Sequence, residues 1–161
     1  MKQGITRKCF VIDTSVARCV SNGTFPAAKN CRSYLTNILE ICHRIAVSKE
    51  LMEEWKRHRS RFFRKWYLSM IARKKVLRLD SESADENDIK IMDKIRRCAT
   101  SAEIAVMEKD YFLVRTAMRA DKIIITLDDS AIAAFRKTAG TVRELGNIEW
   151  INPATIRGDP I

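Results

Sequence analysis

Four acids in this 161-residue chain stand where carboxylates do chemistry. Asp13 closes the apolar run Lys8-Cys9-Phe10-Val11-Ile12, and Asp128 closes Lys122-Ile123-Ile124-Ile125-Thr126-Leu127, the most β-rich stretch of the sequence. In open parallel α/β sheets ligands bind beyond the carboxyl ends of the strands, so an acid directly after a strand is set at the reactive edge. Glu54 falls about two turns into a helix expected after a second strand. Asp110 precedes the apolar helix stretch 111–120 that feeds the run ending at Asp128; capping or starting a helix is its structural alternative. Carboxylates crowded in one pocket repel one another unless protonated or metallated, and a hard-oxygen cluster suits Mg²⁺ or Mn²⁺. Two choices stay open: Glu50 and Glu53 compete with Glu54, and Asp129 competes with Asp128. Glu50 and Glu54 share one helix face at i, i+4, so one can support the other.

The elements that must position these acids alternate along the chain. A strand over 8–13 is followed by a loop marked by Gly23 and Pro26. A helix over 27–41 then places Ala28, Cys31, Leu35, Ile38, Leu39 and Cys42 on one face. A second strand spans 44–47, and Ser48 caps a basic helix over 49–69. A weak edge strand over 76–79 leads into a polar, acidic loop over 81–88 and an amphipathic helix with Ile89, Met92, Ile95 and Cys98 on its face. Thr100-Ser101-Ala102-Glu103 matches the capping box that opens the next helix, which runs towards Ala120. Strands over 122–128 and 148–151 complete the pattern. It predicts an α/β fold, a three-layer α/β/α sandwich around a mostly parallel central sheet. At this length the chain buries one substantial core, so residues 1–161 are expected to form a single domain.

With 30 Lys and Arg against 20 Asp and Glu, the net charge of +10 points to a polyanionic partner. From Lys56 to Arg78 the chain carries ten cations and no acid, interleaved with Phe62, Phe63, Trp66 and Tyr67. Their spacing assigns the aromatics to a core or to a homodimer face, whereas Arg57, Arg61, Arg64 and Lys65 are assigned to RNA phosphates. The five cysteines are odd in number and form no CxxC pair, and no secretory leader is read before them; reduced, mostly buried thiols in a cytoplasmic protein are expected. The longest apolar runs are of strand length, which excludes a membrane helix. His43 and His58 belong to no nucleophile–base pattern and read as structural or surface residues, and the five glycines form no phosphate-binding loop.

Phe10-Val11-Ile12-Asp13-Thr14-Ser15, Val47 to Trp55 with Glu54, Asp110 to Ala117, and Ile125-Thr126-Leu127-Asp128 together resemble the PIN-domain family, in order, spacing and flanks, over nearly the whole chain. The resemblance implies an α/β/α sandwich with a pocket of three or four acids, and Mg²⁺- or Mn²⁺-dependent endonuclease activity, usually on RNA. Asp13, Glu54, Asp110 and Asp128 match the family's acids, and Thr14, Ser15 and Thr126 would be the hydroxyls supporting them. Two-metal hydrolysis is the implied mechanism, with the acids as ligands rather than nucleophiles. Many such domains are toxins of toxin–antitoxin pairs, so a cognate antitoxin is an implied partner. Two rivals stand beside this reading: a nucleic-acid-binding or scaffolding domain of the same fold without catalysis, and a phosphotransferase using Asp13 as nucleophile. The second resembles the haloacid-dehalogenase pattern, which has an acid where this chain has Ser15.

Overall fold

The computed structural model describes residues 6–21, 23–79 and 84–155. Five strands, β1 (Cys9–Ile12), β2 (Arg44–Val47), β3 (Val76–Arg78), β4 (Ile123–Ile125) and β5 (Glu149–Ile151), form one sheet in the order β3-β2-β1-β4-β5. Every pairing is parallel. Among the described residues seven α-helices join them: α1 (Thr14–Cys19), α2 (Pro26–Glu40), α3 (Lys49–His58), α4 (Arg61–Ala72), α5 (Glu86–Cys98), α6 (Ser101–Met118) and α7 (Asp129–Ala139). The result is the expected three-layer sandwich, and its sheet is wholly rather than mostly parallel. Because parallel crossovers are right-handed, a chain that winds one way through β1, β2 and β3 and then the other way through β4 and β5 must place helices on both faces. Accordingly α2 packs with α4, whereas α6 packs between α5 and α7. The winding reverses between β1 and β4, where Phe10, Val11 and Ile12 pair with Ile123, Ile124 and Ile125. All six are buried apolar residues, as a strand covered on both faces requires.

The helix expected over 49–69 is two. Arg59 takes extended backbone, α3 ends at His58, and Ser60 caps α4 by accepting the Phe63 N–H at 3.1 Å. Ser60 is also bound to the preceding layer: its N–H donates to Ala17 O at 2.9 Å and its hydroxyl donates to Val20 O. These bonds pin the α3–α4 joint against α1, so tertiary contacts outweigh the helix propensity of the flanking basic residues. Phe63, Trp66 and Tyr67 are buried and Phe62 is half-buried against the core; Phe63 and Tyr67 meet the Trp55 ring edge-on, and Trp66 packs against Phe63. Most of the aromatic stripe therefore belongs to the core.

Part of the basic run is structural as well. Helix α2 has no basic residue in its last turn, and the Lys75 ammonium reaches Leu39 O at 2.6 Å and Ile41 O, while Arg73 donates to Leu39 O at 3.0 Å. Two cations from elsewhere thus satisfy the open carbonyls and the negative pole of that helix.

Three smaller expectations change. The buried face of α5 is Asp88, Ile91 and Ile95, whereas Ile89 and Cys98 are exposed, because Tyr111 and Arg119 draw Asp88 inward. In the α2 stripe Tyr34 is buried, Leu39 only half-buried, and Cys42 lies exposed beyond the helix end. Of the cysteines, Cys9 and Cys31 are buried, Cys19 is half-buried, and Cys42 and Cys98 are exposed, so most are not buried. Part of the loop expected over 81–88 lies outside the described residues; Asp85 caps α5. No described helix is long and apolar enough to cross a membrane.

Replacing Ser60 with Ala removes the α4 cap and the hydroxyl bond to Val20 O. It should cost about 1–2 kcal/mol, read as a lower midpoint in urea with an unchanged slope. A midpoint equal to that of the wild type would show that the joint is held by packing alone.

Candidate active site

The β1–β4 ladder continues one rung past the strands: the Asp13 N–H donates to Ile125 O at 2.9 Å. Thr126 is held in turn by its N–H to Ile151 O of β5 at 3.0 Å. Asp13 and the Thr126-Leu127-Asp128 turn thereby meet at the carboxyl edge of the two strands that flank the reversal, the position at which open α/β sheets bind ligands.

Hydroxyl groups organise this edge. Ser15 Oγ and Thr126 Oγ1 donate to the same Asp13 oxygen, Oδ2, at 2.6 and 2.7 Å. Each also accepts a backbone N–H, Ser15 from Leu127 at 3.0 Å and Thr126 from Asp128 at 3.0 Å. With both hydroxyl protons spent on Asp13, the 3.3 Å approach of the two oxygens is a close contact rather than a further bond. Two donors on one oxygen fix the position of the Asp13 side chain at this edge. Thr14, the third expected supporting hydroxyl, does not join them: its Oγ1 is buried on the cavity wall with no partner among the described residues.

Glu54 reaches the edge from α3, which Trp55 fastens to the end of β1 by donating Nε1–H to Ile12 O at 3.2 Å. Asp110 comes from the third turn of α6 rather than from a cap or helix start, and it is 8% exposed. Asp13, Glu54, Asp110 and Asp128 line one cavity of about 310 Å³. Of the competing helix acids, Glu54 lines the cavity, whereas Glu50, paired with Arg115 at 2.6 Å, and Glu53, paired with Lys56 at 3.3 Å, do not. Asp128 caps α7, with Oδ1 accepting the Ala131 N–H at 3.0 Å, and lines the cavity, whereas Asp129 accepts from Asn152 at 2.8 Å and does not line it.

Burial, and then the charge of Asp13 with smaller contributions from Asp128 and Glu54, push the Asp110 carboxyl up to about 6 against the pull of Lys109. Among the described residues no group of three or more acid, His or Cys side chains stands gathered to hold one ion. The donor chemistry nevertheless fits a hard divalent cation. Carboxylate oxygens are its preferred ligands, and the crowding that raises Asp110 is what a cation relieves.

The cavity wall also carries Arg18, His58, Lys109 and Phe112, none of which stood out in the sequence. A signal existed: Arg18 follows Thr14, and His58 follows Glu54, by one helical turn at i, i+4. Arg57 lies beside Glu54 at 3.8 Å, and Arg61, Arg64 and Lys65 are exposed on α4; none of the four lines the cavity. No protein-family profile matches the chain, and no curated protein is found similar to it. The functional reading rests on the chemistry of the site.

Between about pH 4 and pH 6 the folded protein keeps a proton on Asp110 that the unfolded chain has released, so this group's effect on stability turns unfavourable as pH rises through that window. In EDTA at neutral pH, Asp110→Asn should therefore stabilise the protein by on the order of 2 kcal/mol. The gain should shrink as pH falls from 6 towards 4. Parallel stability curves for the two proteins across this range would refute the crowding.

Proposed function

We propose that the protein is a PIN-type ribonuclease that hydrolyses phosphodiester bonds of RNA with Mg²⁺ or Mn²⁺. The observation that carries this reading is the convergence of Asp13, Glu54, Asp110 and Asp128, from four separate elements, on one cavity at the winding reversal of a parallel sheet. The resemblance to the family in four ordered motifs supports it, and so does the net charge of +10. A role as the toxin of a toxin–antitoxin pair, with a cognate antitoxin as partner, belongs to the same proposal and rests on the resemblance.

In this reading Asp13, Glu54, Asp110 and Asp128 would hold the metal, which when bound would supply charge stabilisation at the phosphate and lower the pKa of a bound water. Ser15 and Thr126 fix the rotamer of Asp13 by their two donated hydrogen bonds. The Ala131 N–H holds one oxygen of Asp128 and so fixes that side chain at the cavity wall. Lys109 and Arg18 bring positive charge to a pocket of acids and so make it tolerable to a phosphate.

Purified protein incubated with Mn²⁺ and a generic single-stranded RNA should cleave it, and EDTA should stop the reaction. Losing an acid that holds the metal forfeits several kcal/mol of transition-state stabilisation, so Asp13→Asn and Asp128→Asn should each lower cleavage by on the order of 100- to 1000-fold. Glu50→Gln should stay close to wild type, and Asp129→Asn should remain far more active than Asp128→Asn. RNA binding without cleavage at any Mn²⁺ concentration would favour the scaffolding domain instead. A dead Asp129→Asn beside an active Asp128→Asn would move the acid by one position.

A further inference from the structure

The cavity of the acids continues sideways. A second hollow of about 540 Å³ adjoins it, and the two share Ser15, Arg18 and Asp128. Cys19, Leu127, Asp129 and Ser130 complete the second hollow, whose volume is within the range of small-ligand sites. Its chemistry is divided. Arg18, on the shared wall, is its one cation among the described residues, while the carboxylates of Asp128 and Asp129 repel phosphate from the interior. Leu127 and Cys19 offer an apolar flank, and Ser130 with the Asp129 oxygen not engaged by Asn152 offers hydrogen-bonding groups. That combination suits an uncharged, amphipathic nucleoside better than a second phosphate.

Arg18 itself is exposed and makes no hydrogen bond or ion pair among the described residues, although acids line both hollows beside it. Its backbone is well fixed, since the neighbouring Ala17 and Val20 carbonyls accept the two bonds from Ser60. A guanidinium unpaired among the described residues, on a fixed backbone between the acid cavity and the second hollow, is placed to fork onto phosphate oxygens. We propose that Arg18 grips the backbone phosphate at the junction of the two hollows and that the second hollow seats the adjoining nucleoside of a single-stranded RNA. The inference rests on the nuclease reading for what occupies the acid cavity. It routes the strand past α1 and α7 rather than along α4, whose Arg61, Arg64 and Lys65 line neither hollow.

The test is binding of a fluorescent single-stranded pentanucleotide RNA in EDTA, where no turnover intervenes, as a function of salt. Arg18→Gln should weaken binding at least about tenfold and reduce the slope of log K against log salt by about 0.7, with partial recovery in Arg18→Lys. Lys90→Gln, the same charge change at an exposed site on α5 outside both hollows, sets the background. Ser130→Trp, which fills the second hollow from an exposed position, should weaken binding about as much. Ser130→Glu, a substitution favoured at the start of a helix, should also weaken it beyond the Lys90→Gln background. Arg18 or Ser130 variants indistinguishable from Lys90→Gln would overturn the track even if the wild type cleaves RNA with Mn²⁺. A wild type that binds RNA and shows these losses but never cleaves would overturn the nuclease reading and leave the track standing. Absence of RNA binding by the wild type would overturn both.

Discussion

The hydrogen bond from the Asp13 N–H to Ile125 O extends the pairing of β1 and β4 one residue beyond both strands, and the rest of the molecule is arranged around that rung. The two strands are far apart in the chain, so their pairing must be secured by burial before it can position anything. Phe10, Val11, Ile12, Ile124 and Ile125 are fully buried, at about 1.5–3 kcal/mol each. Covering that central pair on both faces is what the α2–α4 and α5–α6–α7 layers do. Once the pair is in register, Asp13 and Thr126 have no choice but to stand side by side, and the two hydroxyl bonds onto Asp13 follow.

Gathering acids there opposes folding. The raised Asp110 shows the cost, since it arises from burial and from the charge of the other three. Stabilising features lie at the far edge of the sheet, where the buried His43 ring packs edge-on against Phe10 and its Nδ1 accepts the Lys8 N–H at 3.2 Å. Burial, with Lys8 and Lys75 nearby, lowers the His43 pKa, so this edge favours neutral pH while the acid edge prefers a lower one. A fold that stores repulsion at one edge and satisfies its polar groups at the other is the usual compromise between stability and a working site.

The basic residues divide along the same line. Arg73 and Lys75 close the end of α2, Lys56 and Arg57 pair with Glu53 and Glu54, and Arg18 and Lys109 face the acids. A run that looks uniform in one dimension therefore has several jobs in three. Density of charge along a chain says little about which cations meet a ligand, because the path of the helices decides it.

Much of the fold could be read directly. Continuous apolar runs marked β1, β2 and β4, Ser48 and the Thr100–Glu103 box marked the starts of α3 and α6, and acids after strands marked the reactive edge; these are local signals, written in neighbouring residues. Asp13 and Asp128, two of the acids that line the cavity, were legible for the same reason, since strand ends are local too. The break at Ser60, the inward turn of Asp88, the choice of Glu54 over Glu50, and the arrival of Arg18, His58 and Lys109 at the cavity were not. Each is decided by a partner distant in the chain: Ala17 and Val20 for Ser60, Tyr111 and Arg119 for Asp88, Arg115 for Glu50. The sequence by itself determined the alternating order of strands and helices and the acids that follow β1 and β4, because short-range periodicity and backbone chemistry encode them. Only the tertiary structure decided which side chains share the cavity, because that depends on how the layers pack across the sheet.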